Sequence, residues 1–374
     1  MRIGIDARLI NETGVGRYIR NLIGELGRQD KTNEYVVFLK NKEYDEITLP
    51  NSRWSKVRAN VAWHTVWEQV MMPWILLSAR LELVHIPYFN IPIFYPGRMV
   101  VTIHDLTILH FDTGKATTLP WIVYKLRRLG YRIALAVGLF RARNIIAVSE
   151  TTKQEIVDHF FVEPGKIAVT YEGIDAAIYK STNGKSTKNA RLIKDPYFLY
   201  VGNAYPHKNL DTLLEAFQRV MRHASRVTAV KLVLVGKDDY FYAKLKKRVR
   251  EQQGADAIVF FGYTDDAQLS NLYRHAQALV FPSLMEGFGL PALEALAFGC
   301  PVIASDIPVF HEILGDNAMY FHALDAGDLE EKLTYILERH PGGQRRTSVR
   351  LQDRFSWFQL ASDTLTIYER CARV

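Results

Sequence analysis

The sequence predicts an α/β fold of two doubly wound domains, each built on a parallel sheet with helices on both faces. Short apolar runs, which are typical of buried strands, alternate with longer amphipathic segments that are typical of helices. This alternation occurs in both halves of the chain, and the polar stretch Ser181–Lys194, which has no apolar periodicity, separates them. Two such series imply two domains, and 374 residues are enough for both.

Five apolar runs in the first half predict strands, because parallel strands that are buried on both faces are apolar along their whole length. They cover residues 3–6, 36–39, 83–86, 100–103 and 145–148. Helical patterns at Gly16–Arg28 and Trp121–Leu139 lie between some of these strands. We therefore expect an N-terminal Rossmann-like domain at residues 1–180.

The second half repeats the alternation more regularly. Its predicted strands cover residues 198–201, 231–235, 258–261, 278–281, 301–304 and 318–321. Helices are predicted to begin near Leu210, Tyr240 and Asp265, and a last helix spans Phe355–Ala372. We expect a C-terminal Rossmann-like domain at residues 195–354 and a final helix within residues 355–374.

The composition excludes several classes of protein. Apolar residues make up 48% of the chain and charged residues 23%, which does not fit a disordered, collagen-like or coiled-coil protein. With Cys300 and Cys371 as its two cysteines, the chain is not a disulfide scaffold or a cysteine-ligated zinc module. The segment MRIGIDARLI lacks the pattern of a signal peptide, and no apolar run approaches the roughly 20 residues of a membrane span. We expect a cytoplasmic protein.

The net charge of +7 comes from one part of the chain. Residues 113–149 hold seven basic residues and no acidic one, which equals the whole excess and indicates an anionic partner there. Because aromatic residues lie among these charges, we expect Lys125, Arg127, Arg128 and Arg132 to contact an anionic membrane at its inner face. A solvated helix face or a site for an anionic acceptor would also account for them. No nucleic-acid-binding module is recognisable, so nucleic acid is not an expected partner.

The loops after the strands carry the candidate site, because ligands bind beyond the carboxyl ends of strands in open parallel sheets. After the first strand, Gly14 and Gly16 either let a ligand approach the backbone or form only a tight turn. They do not form a dinucleotide fingerprint, since Ile19 stands where the third glycine should be. After the fourth strand, His104 and Asp105 are suited to proton transfer or to holding a sugar hydroxyl. Alternatively, the histidine is bonded into the fold and the aspartate caps the next turn.

The loop Gly202–Asn209 follows the first strand of the second half. It combines a glycine turn, Lys208 and Asn209, which is the expected N-cap of the next helix. A lysine beside a helix N-terminus suits a phosphate group. The alternative is a solvated surface lysine.

The segment from Glu286 to Glu294 gives the strongest signal. Pro291 favours a first helical turn and Gly299 favours a helix end, so a helix is predicted from Leu290 to Phe298. Its free amides suit a phosphate, and the two carboxylates suit sugar hydroxyls. A carboxylate favoured by the helix dipole, worth roughly 0.3–1 kcal/mol, would explain Glu294 alone but not the whole segment.

Two glutamates separated by seven residues resemble the E-x7-E signature of retaining glycosyltransferases of family 4, which have the GT-B fold. The similarity covers nearly the whole chain. It is carried by GVGR at 14–17, TIHDL at 102–106, AVSE at 147–150, YEGID at 171–175, VGN at 201–203, HKN at 207–209 and the two glutamates. The resemblance implies two Rossmann-like domains that face each other across a cleft. It also implies a donor nucleotide sugar on the C-terminal domain, an acceptor on the N-terminal domain, and a last helix that packs back on the N-terminal domain.

The resemblance also implies roles for individual residues. Lys208 would contact the diphosphate, Glu294 the ribose hydroxyls, and Glu286 the transferred sugar, while His104 would lie near the anomeric carbon. The family often has an arginine near this lysine, whereas Asn203 and His207 stand there in this chain. The expected catalytic residues are His104, Asp105, Lys208 and Glu286. The expected donor-binding residues are Gly14, Gly16, Gly202, Asn203, Lys208, Gly262, Tyr263, Glu286, Gly287, Phe288, Gly289, Leu290 and Glu294.

The predicted activity is metal-independent transfer of a sugar, with retention, to a glycan or a lipid-linked saccharide. No Asp-x-Asp motif occurs, so no metal and no other cofactor is expected. The similarity to bacterial mannosyltransferases of polysaccharide and lipopolysaccharide assembly favours GDP-mannose as the donor, and a UDP-sugar is the alternative. A nucleotide-sugar 2-epimerase of the same architecture is a rival. A nicotinamide-dependent oxidoreductase is disfavoured by the missing third glycine.

Overall fold

The computed structural model describes residues 1–63, 65–111, 121–174, 191–223, 230–251, 254–339 and 351–372. The chain divides into two compact units, each with its own parallel sheet. The first comprises Met1–Leu109, Thr118–Gly173 and Phe355–Val374, and the second comprises His110–Thr117 and Ile174–Arg354. Residues 181–190 of the expected linker lie outside the described residues.

The first unit is built on a seven-stranded sheet. Its strands are β1 (Arg2–Asp6), β2 (Glu34–Leu39), β3 (Trp54–Arg58), β4 (Leu83–Ile86), β5 (Met99–Ile103), β6 (Asn144–Ala147) and β7 (Ile167–Val169). Its helices are α1 (Gly14–Gln29), α2 (Asn41–Glu46), α3 (Val66–Ser78), α4 (Thr107–His110), α5 (Trp121–Arg141), α6 (Glu150–Phe160) and, at the C-terminal end, α14 (Trp357–Ala372). The strand order β3-β2-β1-β4-β5-β6-β7 reverses between β1 and β4, where Ile5 pairs with His85.

The second unit is built on a six-stranded sheet. Its strands are β8 (Tyr197–Val201), β9 (Lys231–Val235), β10 (Ile258–Gly262), β11 (Ala278–Phe281), β12 (Val302–Ser305) and β13 (Ala318–Phe321). Its helices are α7 (Leu210–His223), α8 (Tyr240–Arg250), α9 (Asp266–His275), α10 (Leu290–Ala297), α11 (Pro308–Leu314), α12 (Ala326–Arg339) and α13 (Leu351–Arg354). The order β10-β9-β8-β11-β12-β13 reverses between β8 and β11, which are paired in parallel.

The predicted doubly wound fold is confirmed in both units. The predicted strands agree with the observed ones within two residues at each end, because their apolar side chains are buried between helical layers. Two strands, β3 and β7, were not predicted. They are the two edge strands of the first sheet. β3 (WSKVR) is only partly buried and therefore contains polar residues.

The C-terminal helix α14 packs within the first unit, against α1 and β4. The Gln29 side chain donates to the Phe358 carbonyl over 3.0 Å, and the Cys371 thiol donates to the Asn144 side chain over 3.2 Å. The start of the helix packs closely against Gly173, where a Cβ would lie 2.2 Å from the Trp357 nitrogen. The chain thus returns to its first unit after completing the second.

Candidate active site

Two loops of the second unit lie side by side where its strand order reverses. Because β8 and β11 are parallel neighbours, the segments that follow them leave the same edge of the sheet. The Leu284 amide donates to the His207 carbonyl over 2.8 Å. The Asn209 side chain donates to the Pro282 carbonyl over 3.1 Å. These bonds tie the β8 loop to the β11 loop.

Lys208 and Glu286 form an ion pair across these two loops. Lys208 ends a short 3-10 turn, and its ammonium donates to Glu286 Oε1 over 2.5 Å. The same oxygen accepts from the Ser283 hydroxyl over 2.7 Å. The lysine side chain is 13% exposed and the glutamate 12%. A largely desolvated cation and carboxylate therefore meet at the switch point, where the cation suits a phosphate and the carboxylate suits a hydroxyl.

Gly202 and Asn203 form the turn that leads from β8 into this loop. The Gly202 amide donates to the Val235 carbonyl over 2.9 Å, and the Asn203 carbonyl accepts from the Tyr200 hydroxyl over 2.6 Å. Asn209, the expected N-cap, directly precedes α7, and its side-chain oxygen accepts from the Thr212 hydroxyl over 2.9 Å. The turn is held by its own strands.

Helix α10 begins at the end of the β11 loop, as predicted from Pro291. Gly289 precedes it with φ +94°, a left-handed conformation that favours glycine. A Cβ there would also lie 2.9 Å from the Phe310 ring. The helix ends near Gly299, whose φ is +71°. Gly287, Phe288 and Leu290 are buried beside Gly289.

Glu294 lies in α10 and is 2% exposed. Its Oε2 accepts a hydrogen bond from the Tyr273 hydroxyl on α9 over 3.1 Å. A buried carboxylate needs such donors, because removing its charge from water is costly. The structure therefore joins Lys208 with Glu286 and gives Glu294 a different partner within the same unit.

Two further expected donor residues, Gly262 and Tyr263, lie at the end of β10, which is an edge strand of the second sheet. Gly262 ends β10 with φ +85°, and its carbonyl accepts from the Gly236 amide over 3.0 Å. Tyr263 is 77% exposed, so its ring is accessible for stacking. The sheet order places both beside β9 rather than beside β11.

In the first unit, Gly14 and Gly16 open α1 but differ in their surroundings. A Cβ on Gly16 would lie 2.5 Å from the Ile10 carbonyl oxygen, so this glycine is required by the chain's own backbone. A Cβ on Gly14 would meet no heavy atom within 4 Å. The backbone of residues 9 and 10 thus lies against Gly16, and the approach of a ligand there stays a prediction.

Both ring nitrogens of His104 are hydrogen-bonded within the first unit. Nε2 lies 3.0 Å from the Pro87 carbonyl, and Nδ1 lies 3.0 Å from Glu172 Oε1. Because a carbonyl can only accept, Nε2 must carry the hydrogen of that bond. Asp105 Oδ1 accepts from the Thr107 amide over 2.9 Å, so this aspartate caps α4. The alternative in which the histidine is bonded into the fold and the aspartate is a cap describes these contacts.

Sequence reasoning missed two acidic residues near this pair. Glu172 belongs to the YEGID motif, but its contact with His104 spans 68 positions and has no local sequence signal. Glu155 on α6 is partly buried, and this burial, together with the charges of Asp105 and Asp158, raises its pKa to about 7. A carboxyl that titrates near neutral pH beside an expected catalytic residue is a candidate acid or base.

A chain of buried hydrogen bonds through His85 lies beside the His104 site. His85 Nδ1 lies 2.6 Å from the Tyr368 hydroxyl, and Nε2 lies 2.7 Å from Thr102 Oγ1. Burial, assisted by the nearby His104, lowers the pKa of His85 to about 3. His85 is therefore neutral at neutral pH and links α14 to the strand that precedes His104.

The expected membrane-contact residues lie on α5. Lys125 and Arg132 are exposed, and Arg128 is partly buried, with its guanidinium donating to the Leu109 carbonyl over 2.9 Å. The side chain of Arg127 lies outside the described residues. In the described parts of the chain, none of the helices combines the length and apolarity of a membrane span. The same parts contain no cluster of three or more His, Cys, Asp or Glu side chains suited to a metal ion.

Comparisons with known proteins agree with this architecture. Residues 13–178 match the model of Glycosyltransferase Family 4, and residues 181–350 match that of glycosyl transferases group 1. The O-antigen chain mannosyltransferase RfbU of Salmonella typhimurium is 29% identical over 287 residues, 75% of this chain and 73% of that protein. The O-antigen chain mannosyltransferase B of Escherichia coli is 25% identical over an alignment of 381 residues, 96% of each protein.

Solved structures show the same fold. The sucrose-phosphate synthase of Thermosynechococcus elongatus has a TM-score of 0.74 at 18% identity and covers 99% of this chain and 98% of its own. HepE of Anabaena, in complex with UDP and glucose, has a TM-score of 0.73 at 14% identity and covers 99% of both chains. The two family models together span almost the whole chain, and the neighbours have the GT-B fold. The chain is therefore a glycosyltransferase that belongs to family 4 of the GT-B fold.

Proposed function

We propose that this glycosyltransferase moves mannose from GDP-mannose, with retention, to a glycan or a lipid-linked saccharide during polysaccharide assembly. The choice of mannose is supported by the relatives, which are O-antigen mannosyltransferases. The observation that carries the proposal for this chain is the Lys208–Glu286 pair at the switch point of the second sheet.

In this proposal, Lys208 stabilises the leaving diphosphate. Breaking the bond between sugar and phosphate increases the negative charge on the nucleotide diphosphate. A preorganised ammonium stabilises charge that grows during the reaction more than it stabilises the bound substrate. The start of α10 supplies additional amide dipoles in the same loop.

The remaining donor contacts are the ones that the resemblance to family 4 implies. Glu286 accepts from hydroxyls of the transferred sugar, with the amides of Phe288–Leu290 beside it. Glu294 accepts from the ribose hydroxyls, and Tyr263 stacks on the base. Gly202, Asn203 and Gly262 complete the donor site as turn residues.

For the first unit, we propose that His104 acts as a residue of fixed orientation near the transferred sugar. Its two ring hydrogen bonds, to Glu172 and to Pro87, hold the imidazole in one position. Asp105 fixes the start of α4, and Gly14 and Gly16 let the backbone approach the diphosphate. Lys125, Arg127, Arg128 and Arg132 contact an anionic acceptor or the inner face of a membrane.

The proposed reaction needs no divalent metal, because the chain contains no Asp-x-Asp motif. The test is transfer of radiolabelled mannose from GDP-mannose to lipid extracts and to soluble mannosides, with and without EDTA, beside parallel reactions with UDP-glucose. Product formation from GDP-mannose that survives EDTA supports the proposal. Turnover only with a UDP-sugar would refute GDP-mannose as the donor. A donor epimer formed without an acceptor would show that the chain is an epimerase.

A further inference from the structure

Helix α3 presents a row of large apolar side chains to solvent. Trp67, Val70, Trp74 and Leu77 recur every three or four residues and therefore share one face of the helix. Trp67 is 62% exposed and Trp74 is 70% exposed. Leaving such side chains in water forgoes the stabilisation that burial would give. A contiguous exposed row of this kind marks an interaction surface.

The opposite face of α3 already belongs to the core. Met72 and Leu76 are buried, and Glu68 is buried in an ion pair with Arg8 at 2.7 Å. Rotating the helix to cover the apolar row would expose this ion pair. The fold therefore fixes the tryptophans outward.

A second exposed apolar row runs along α5. Its members also recur every three or four residues, while Leu135 and Leu139 face the core. The exposed members are Leu126, Leu129, Ile133, Val137 and Phe140.

The loop between β4 and β5 is hydrogen-bonded to both helices. Gln69 of α3 donates to the Ile91 carbonyl over 3.1 Å and accepts from the Ile93 amide over 2.9 Å. Arg141 of α5 donates to the Ile93 carbonyl. Phe94, the next residue, is 66% exposed. The loop that carries Phe94 is thus bonded to both helices, and we call the two rows and Phe94 together the docking face.

The segments that form the docking face carry mainly basic charge. The single acidic residue of α3 is the buried Glu68, and residues 83–104 and 113–149 contain no Asp or Glu. Lys125 and Arg132, seven positions apart on α5, are exposed beside its apolar row. Apolar and aromatic side chains accompanied by exposed cations suit an anionic bilayer, whose interface accepts indole rings and whose headgroups attract lysine and arginine.

Helix α8 shows that basic charge alone does not make such a surface. It carries Lys244, Lys247 and Arg250, but its Leu245 and Val249 are buried. Its cations are therefore a solvated face. Only on the docking face do exposed apolar rows and exposed basic side chains occur together in the described residues.

We propose that the docking face binds the surface of an anionic phospholipid bilayer, with Trp67, Trp74 and Phe94 inserted at the level of the headgroups. This deepens the proposed function, since it specifies a lipid-linked acceptor that the enzyme meets at the membrane. Lipid binding itself can be measured without transfer, so the two proposals can fail separately. A second copy of the chain covering the same face is the competing occupant.

The first experiment is co-sedimentation with vesicles of phosphatidylcholine alone or with 30 mol% phosphatidylglycerol, a composition chosen as roughly physiological. Wild-type protein is expected to bind the anionic vesicles. The variant Lys125→Gln/Arg132→Gln is expected to bind about 30-fold more weakly, at about fivefold for each basic residue near an anionic surface. The matched control Lys244→Gln/Arg250→Gln on α8 should bind like wild type. Equal losses in both variants, or equal binding to neutral vesicles, would overturn the proposal.

The second experiment tests insertion with the intact wild-type chain. Phosphatidylglycerol vesicles with brominated acyl chains should quench the fluorescence of Trp67 and Trp74, and Trp67→Phe/Trp74→Phe should abolish most of that quenching. Tyr240→Ser, which removes an exposed ring on α8, is the apolar control. Unquenched wild-type fluorescence would contradict insertion. A wild-type dimer that the tryptophan variant converts to a monomer, with no vesicle binding, would assign the face to a second copy.

Transfer to a soluble acceptor separates the two proposals. If Trp67→Phe/Trp74→Phe loses vesicle binding but keeps turnover with a soluble mannoside, both proposals are supported, because neither tryptophan belongs to the proposed donor or acceptor contacts. Vesicle binding without any transfer from GDP-mannose would refute only the proposed function.

Discussion

Replacing Lys208 by methionine should lower kcat far more than it weakens donor binding. The Lys208 side chain is 13% exposed and its ammonium lies 2.5 Å from Glu286 Oε1, so its charge is little screened by water. A hydrogen bond to a charged group contributes about 1.5–3 kcal/mol, which corresponds to about a 10- to 150-fold loss of rate. The loss should appear in kcat, because the charge on the leaving diphosphate grows in the transition state.

The substitution has a second cost that the structure makes visible. Without the lysine, the Glu286 carboxylate, itself 12% exposed, would face the diphosphate with its charge uncompensated. Lys208→Met combined with Glu286→Gln should therefore be less impaired than the product of the two single effects. A coupling of about 0.5–3 kcal/mol is typical of residues in direct contact.

The assay is initial-rate kinetics with GDP-mannose across a range of concentrations for the four members of this cycle. Lys244→Met, at an exposed position of α8, is the matched control and should have wild-type kinetics. A rise in KM with unchanged kcat would show that Lys208 binds substrate and transition state equally. Strictly multiplicative effects would show that the pair does not act as a unit.

Three further perturbations test other parts of the molecule. Glu294→Gln should weaken binding of GDP by about 1.5–3 kcal/mol in calorimetry, whereas Tyr273→Phe, which keeps the carboxylate, should weaken it less; equal losses would refute the ribose contact. Arg8→Met leaves two buried carboxylates without their cation and should lower the free energy of unfolding in urea by about 3–5 kcal/mol, and a loss below 1 kcal/mol would refute this. The raised pKa of Glu155, about 7, means that folding is favoured by its protonation at low pH and that this advantage is lost as pH rises from about 4.5 to 7. Glu155→Gln should therefore raise the melting temperature relative to wild type more at pH 8 than at pH 5, and the same difference at both pH values would contradict the burial argument.

The strands that the sequence predicts are the ones buried on both faces. Ile3 and Ile5 in β1 or Leu199 in β8 belong to apolar runs because each side of their sheet is covered. β3 could not be found in this way, because an edge strand has one partner and several of its side chains meet water. Its lysine and arginine mask the apolar pattern.

The site shows the same division between local and non-local information. Each of Lys208 and Glu286 was placed correctly after a strand, because loops at strand ends are local features. Their contact depends on β8 lying beside β11, with two strands of sequence between them, and only a family resemblance could suggest it. The His104–Glu172 contact had no such support, although both residues lie in motifs that were noted.

The loop after β4 contacts His104 and also carries a residue of the docking face. Its first residue, Pro87, accepts the hydrogen bond that orients His104, and Phe94, seven positions later, completes the docking face. Between them, Ile91 is bonded to α3 and Ile93 to both α3 and α5, so these bonds hold the middle of the loop. A lipid bound at Phe94 would therefore lie on the same loop that positions His104. Substituting Gln69 by alanine, which removes two of these bonds without touching either site, should weaken vesicle binding and transfer to a membrane-borne acceptor together, while leaving GDP affinity unchanged. If only one of the two processes responds, the loop does not couple them.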